Sequence, residues 1–400
     1  MFRELITKFE QMNNQKRSTY TRTRQQKNMK TEVEDKLDKI SNIWNHFIWE
    51  YKTCNLKIKF TEDVKTNYFG DILGYFQDTF EIVFQDRKLK TYSDRFSYEI
   101  SLLQAIYIHQ DFIEELLEIF KCDIDKGILK NDINYSINRE LRNELVGHPF
   151  RKKSGKLISS TTFGYHPKKG CLTYLRYHRD NNFEFELMSY EFSEIIKRHS
   201  IFLNTYFDII LEKLKTILTD FVKGLENLEK MIAKNNFETI VKVTSLYFES
   251  IFKSDYVYDK ESLLKIFNKR QENLRYQNLI DLFYKDLKAN INGTKLYVKE
   301  LFEEQKEIEP KHIEKPIINI TFSKPDKRKI KNEKLSYHYE LGKLATKRNS
   351  TDFEFFGSCL KSMCKENELV INELEHMELN IDNEIEYYSS LRLINTILKE

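Results

Sequence analysis

A mainly α-helical protein with one small β insertion is the fold class this sequence predicts, on three observations. The 400 residues hold only 11 glycines and 5 prolines, too few for the turns of a many-stranded sandwich, a barrel or a repeated βαβ fold. Apolar residues recur at steps of three and four over most of the length, the period of a helix with one buried face. One stretch breaks that period, with Gly155, Gly164, Pro167 and Gly170 setting off short alternating runs. With 40% hydrophobic residues the chain can bury a core, and its length suits two or three domains.

The elements follow in order. Between Gln11 and Thr31 lie Lys16, Arg17, Arg22, Arg24, Lys27 and Lys30 with no acidic residue, so residues 1–32 read as a basic tail. A helical stripe begins at Val33 and continues through Leu37, Ile40, Trp44, Phe47, Ile48 and Tyr51; similar stripes cover 62–85 and 95–121. Ile133, Ile137, Leu141 and Leu145 recur every four residues, and Gly147 then Pro149 give the stop signal of that helix. Residues 172–178 and 183–188 alternate apolar and polar side chains around Asp180-Asn181-Asn182, which predicts a β-hairpin near 171–188.

Helix resumes near Tyr190 and is expected to run to about Lys234. Within it Leu211, Leu214, Leu218, Phe221, Leu225, Leu228 and Ile232 step by three and four, the seam of a bundle face within the chain or of a coiled coil between chains. These elements make a helical bundle of residues 33–235, followed by a helical extension over 236–308. Pro310, Pro316 and Pro325 mark a linker over 309–335 with one short strand at 317–322. Residues 336–400 predict two or three amphipathic helices. Residues 350–400 carry eleven Asp/Glu against four Lys/Arg, an acidic solvent face.

Composition excludes several classes. Lys+Arg at 65 against Asp+Glu at 62 leaves a net charge of +3, so any nucleic-acid footprint must be local. No stretch approaches 18 uncharged apolar residues, which predicts neither a signal peptide nor a membrane span. Five widely spread cysteines without a Cys-x-x-Cys pair suit a reducing cytoplasm rather than a disulfide framework or a zinc site, and Cys359 and Cys364 read as core packing. The chain has no Gly-rich phosphate loop, His-Glu-x-x-His, Gly-x-Ser-x-Gly or EF-hand loop, and no cofactor or metal is expected.

Among nine histidines, His148 has the suggestive setting: Leu141-Arg142-Asn143-Glu144-Leu145-Val146-Gly147-His148-Pro149. An arginine followed by asparagine, four residues and histidine resembles the Arg-Asn-x4-His motif of the HEPN superfamily, and it lies near the end of an amphipathic helix within the helical bundle. The resemblance covers about residues 33–230. It implies a HEPN-like helical bundle and metal-independent endoribonuclease activity, in a toxin or antiviral defence setting. Because the chain holds one motif copy and HEPN relatives pair two bundles across one cleft, it also implies a homodimer. In some HEPN toxins a tyrosine two residues beyond the motif histidine is the target of an inactivating modification; here that position is Phe150, a departure that argues against this control.

The chemistry asked of these residues is specific. Arg142 offers a planar fork of donors that suits a phosphate and cannot deprotonate. His148, near the negative end of a helix, would be held partly protonated and can act as general base and then acid. The base takes the ribose 2′-OH proton, the 2′-oxygen attacks the neighbouring phosphorus, and the guanidinium stabilises the added charge. Asn143 would orient the phosphate or the histidine, while Glu144 is expected in a salt bridge. On a straight helix His148 would lie some 240° around from Arg142. The basic residues Arg151, Lys152, Lys153, Lys156, Lys168, Lys169, Arg176 and Arg179, interleaved with aromatics, suggest an RNA-binding surface or a solvated loop. His178 reads as structural. Three function classes therefore stand: a HEPN-type ribonuclease, a non-catalytic HEPN-like dimerisation or nucleic-acid-binding scaffold, and an enzyme whose site is assembled from scattered residues. The expected partners are RNA and a second copy of the chain, with no membrane and a regulatory protein or ligand of unspecified kind.

Overall fold

The computed structural model describes residues 29–85, 89–125, 127–162, 170–234, 236–249, 252, 259–303, 337–346 and 348–399. Most of the expected basic tail, Lys168 and Lys169, and the linker with its strand at 317–322 lie outside the described residues. The chain is mainly helical with one small antiparallel sheet. It divides into two compact units, Met1–Glu50 with Cys54–Leu218, and Tyr51–Thr53 with Thr219–Glu400.

In the first unit, helix α1 covers residues 29–48 and ends in a widened turn, Trp44–Ile48. Helix α2 (Phe69–Phe84) follows a similar turn, Val64–Tyr68. Helix α3 (Tyr92–Ile119) starts at a capping box: Thr91 Oγ1 accepts from the Asp94 N–H and the Asp94 carboxylate from the Thr91 N–H, both at 3.0 Å. Its buried Leu102, Ile106, His109, Ile113 and Leu116 sit at helical spacing and pack it against its neighbours. Trp44 stacks on Phe69 with ring centroids 3.7 Å apart, and Phe76 on His109 at 4.1 Å. His109 Nδ1 lies 3.0 Å from His199 Nε2, and His109 Nε2 lies 2.8 Å from Thr79 Oγ1, all within this core.

Helix α4 (Ile133–Arg142) starts at Asp132, whose carboxylate accepts from the Asn134 N–H at 2.7 Å. The face it buries is Tyr135, Asn138 and Leu141, whereas Ile133 of the expected stripe is exposed. Asn138 can be buried because both ends of its amide are bonded: Nδ2 donates to the Ile195 carbonyl at 3.0 Å, and Oδ1 accepts from Arg198 at 3.2 Å. That pair ties α4 to helix α5 (Phe192–Ile232).

Between α4 and α5 stands an antiparallel meander, β1 (Phe150–Lys153), β2 (Lys156–Thr161), β3 (Cys171–His178) and β4 (Phe185–Glu191), in that spatial order. The β3–β4 hairpin is the one expected, turning at Arg179–Asn181, with Asn182 and Phe183 in the left-handed region (φ 51° and 61°). The expectation of a single hairpin is corrected by β1 and β2. They join through Ser154-Gly155, both at positive φ (51° and 75°), the geometry of a tight primed turn. Of the run from Arg151 to Lys156, read as a basic loop, Arg151, Lys152, Lys153 and Lys156 are strand on either side of this turn.

Of the leucine seam, Leu214, Leu218, Phe221, Leu225 and Leu228 are fully covered within the single chain, so the bundle-face alternative is the one realised.

The second unit contains α6 (Phe237–Tyr247), α7 (Lys260–Lys269), α8 (Leu274–Phe302), α9 (His338–Thr346), α10 (Ser350–Met363), α11 (Glu368–Leu379) and α12 (Glu384–Lys399). Four described helices follow residue 336 instead of two or three, because Asn349 and Asn367 each cap a new helix start. Their core is Leu344, Phe353, Leu360, Val370, Leu374, Met377, Tyr387, Leu391 and Ile394. Arg275 clamps Glu373 with two hydrogen bonds at 2.9 and 3.0 Å. Burial pushes the Glu386 carboxyl up, but donors from Lys269, Tyr276 and His376 outweigh it and hold it at about 2. No described helix is long and apolar enough to cross a membrane.

Candidate active site

Where α4 ends, the helix does not stop but widens. Residues Asn143–Gly147 form a π turn, closed by the His148 N–H donating to the Asn143 carbonyl at 2.7 Å. The wider turn replaces the straight-helix geometry expected from spacing and brings Gly147 back against Arg142. A β-carbon built on Gly147 would stand 2.8 Å from Arg142 Nη1 and 3.7 Å from Asn143 Oδ1. The guanidinium therefore lies against the backbone of the residue that precedes the histidine.

Arg142 is held by neutral groups. Its Nε and Nη2 donate to Gln104 Oε1 at 3.1 and 3.0 Å, and Nη1 donates to Asn143 Oδ1 at 3.1 Å. Its Cζ stands 3.9 Å from the Tyr107 ring centroid, and that of Arg139 3.6 Å from the same centroid. The Tyr107 ring thus carries both guanidinium groups of α4. Arg139 is neutralised by Asp111 at 2.6 Å, but no described carboxylate pairs with Arg142. Of the five N–H donors of Arg142, these bonds use three. His148 is exposed, and its imidazole makes no hydrogen bond to a described residue.

Glu144 is indeed in salt bridges. Its two oxygens accept from Arg176 Nε and Nη2, both at 2.7 Å, from Arg151 at 3.0 Å, from Ser160 at 2.6 Å and from Tyr174 at 3.1 Å. Burial raises its pKa, yet these donors prevail and hold it at about 2. This one carboxylate pins β1, β2 and β3 to the π turn.

The expected RNA-binding set is thereby divided. Arg151 and Arg176 are spent on Glu144, Arg176 also reaching Glu186, and Lys156 pairs with Asp180. Lys152, Lys153 and Arg179 are exposed. His178 lies 3.4 Å from Glu186. Beside the π turn an apolar cleft of about 370 Å³ is lined by Tyr92, Phe96, Leu145, Val146, Pro149 and Phe150. No described group of three or more His, Cys, Asp or Glu could hold a metal ion.

Comparison with family models, with curated proteins and with solved structures returns no match to this chain.

Gln104 and Tyr107 went unnoticed in the sequence. Their one signal is a polar stripe, Gln104, Tyr107 and Asp111, at steps of three and four on α3, facing Arg139 and Arg142 at a step of three on α4.

Proposed function

We propose that this chain is a metal-independent endoribonuclease of HEPN type, acting in the cytoplasm, with Arg142 and His148 as its catalytic pair. The observation that carries the reading is the unpaired charge of Arg142. Arg139 is neutralised by Asp111, and Arg151 and Arg176 by Glu144, whereas Arg142 is fixed by an amide on either side and a ring, with donors to spare and its guanidinium against Gly147, the residue before His148. A rigid, uncompensated guanidinium is what a scissile phosphate needs.

In the reaction His148 accepts the ribose 2′-OH proton, the 2′-oxygen attacks phosphorus, and the 5′-oxygen leaves with a proton returned by the imidazolium. Arg142 stabilises the charge that gathers on the phosphoryl oxygens. Asn143 acts here through Arg142, since its Oδ1 is occupied by the guanidinium. One pair per chain is a sparse site, so the active form under this reading is a homodimer with two motifs on one cleft, and its setting is that of a toxin or antiviral defence effector.

The test is cleavage of RNA by the purified chain. Arg142→Ala and His148→Ala should each abolish it with unchanged folding, and Arg142→Lys should not rescue, because an ammonium cannot hold Gln104, Asn143 and Tyr107 together. Chelators should leave the rate unchanged, and a 2′-deoxy substitution at the cut should stop it. Full activity in His148→Ala overturns the reading.

A further inference from the structure

The outer face of the sheet is apolar where a solvated face should be polar. Strand alternation and the register place Phe150 and Lys152 of β1, Leu157, Ser159 and Thr161 of β2, Leu175 and Tyr177 of β3, and Phe185 and Leu187 of β4 on one side. Arg151, Ser160, Tyr174, Arg176 and Glu186 occupy the other, around Glu144. Phe150, Leu157, Phe185 and Leu187 are between 59% and 73% exposed, and Phe183 in the adjoining turn is 61% exposed. Scattered single apolar residues need no explanation, but a contiguous group on one sheet face marks a contact surface.

The register also gives the group a direction. Phe150, Ser159, Tyr177 and Phe185 are successive partners across all four strands, a single row perpendicular to the chain. Tyr177 packs 5.5 Å from Phe185 and 6.5 Å from Phe183, centroid to centroid. The row starts two residues beyond His148, so it leads away from the motif. Its charges suit a polyanion: Lys152 is exposed on this face and Arg179 at the end of β3, while within the strands the one carboxylate on this side is Glu191, at the far end of β4.

We propose that this face is a stacking platform for single-stranded RNA, with Phe150, Tyr177 and Phe185 each receiving a base and Lys152 and Arg179 following the backbone. It rests on the ribonuclease reading for the choice of RNA and for the path toward His148. Aromatic rings on an open antiparallel sheet bind unpaired bases by their faces, with little demand for sequence, and a duplex, whose bases are already stacked, is excluded.

The experiment is fluorescence anisotropy of the full chain with a labelled single-stranded 2′-O-methyl oligonucleotide of mixed sequence. Such a strand cannot be cut through its 2′-oxygen, so an inert His148 leaves the readout intact. Phe150→Ala, Tyr177→Ala and Phe185→Ala should each weaken binding by roughly 5- to 100-fold. Lys152→Glu should flatten the salt dependence, and the same sequence as a duplex should bind more weakly. Phe355→Ala, at an exposed aromatic of the second unit, should change nothing. Circular dichroism checks that the variants fold. Three outcomes overturn the proposal: no binding by the wild type at micromolar concentration, unchanged binding by the triple alanine variant, or a wild-type dimer that the alanine variants split into monomers, which would make the face a contact between copies. A chain that binds the strand through these rings but does not cut RNA would remove the catalytic reading and keep the platform.

Discussion

The guanidinium of Arg142 occupies the space that a β-carbon on residue 147 would take, 2.8 Å from where that carbon would stand. Gly147 is thus a positioning residue for Arg142, although its backbone conformation does not itself demand glycine. Gly147→Ala should leave stability within about 1 kcal/mol of the wild type. The guanidinium, already bound to Gln104 and Asn143, must give up part of that arrangement to make room. RNA cleavage should fall at least tenfold with an unchanged unfolding curve, and a fully active Gly147→Ala chain would show that the fit of Arg142 against the turn is incidental.

Glu144 gathers two arginines, a serine and a tyrosine on one largely buried carboxylate. Glu144→Gln keeps the shape but leaves Arg151 without its counter-charge and Arg176 with Glu186 alone, at a cost of about 2–3 kcal/mol, below the range for a deeply buried pair because both arginines are partly solvated. The one negative charge removed, which frees Arg151, should tighten RNA binding and steepen its salt dependence. Urea unfolding and anisotropy on the same sample should therefore move in opposite directions.

The histidine pair of the core makes stability depend on pH. Thr79 Oγ1 donates to the Tyr75 carbonyl at 2.7 Å, so it accepts from His109 Nε2–H. His109 Nδ1 then accepts from His199 Nε2–H, and both rings are neutral. Burial draws His109 down to about 3, and burial together with the neighbouring ring takes His199 well below its usual value. The unfolded chain takes up these protons near pH 6.5 and the folded chain does not, so the pair's contribution is complete above pH 6.5 and is lost as the pH falls below it. The slope is up to about 1.4 kcal/mol per pH unit for each histidine. Denaturant melts at pH 7, 6 and 5 should show the fall, and His199→Leu should reduce the slope by about half.

How much of this was legible in the chain depends on whether the signal was local. The helix bearing the motif, its end at Gly147 and the hairpin around Asp180-Asn181-Asn182 follow from spacing and turn chemistry, which act within a few residues. Strands β1 and β2 are not legible, because the consecutive cations Arg151-Lys152-Lys153 beside Ser154-Gly155 look like a solvated loop until Glu144 is seen to hold Arg151 of that run together with Arg176 of β3. The buried face of α4 was misjudged for the same reason: Asn138 is polar, and only its partners on α5 make it a core residue. Gln104, Tyr107 and the pairing of His109 with His199 depend on which helices become neighbours, and no local pattern carries that.

The π turn also fixes a count. Strand β1 begins three residues after Gly147, and a strand shifted by one residue turns every side chain to its opposite face. Deleting Leu145 or Val146 would let the helix continue with its ordinary pitch, but it would send Phe150 toward Glu144 and Arg151 out to solvent. The chain length between Arg142 and His148 is therefore a dimension of the sheet as well as of the motif. An insertion or deletion there would be selected against by folding even in a relative that had lost all activity.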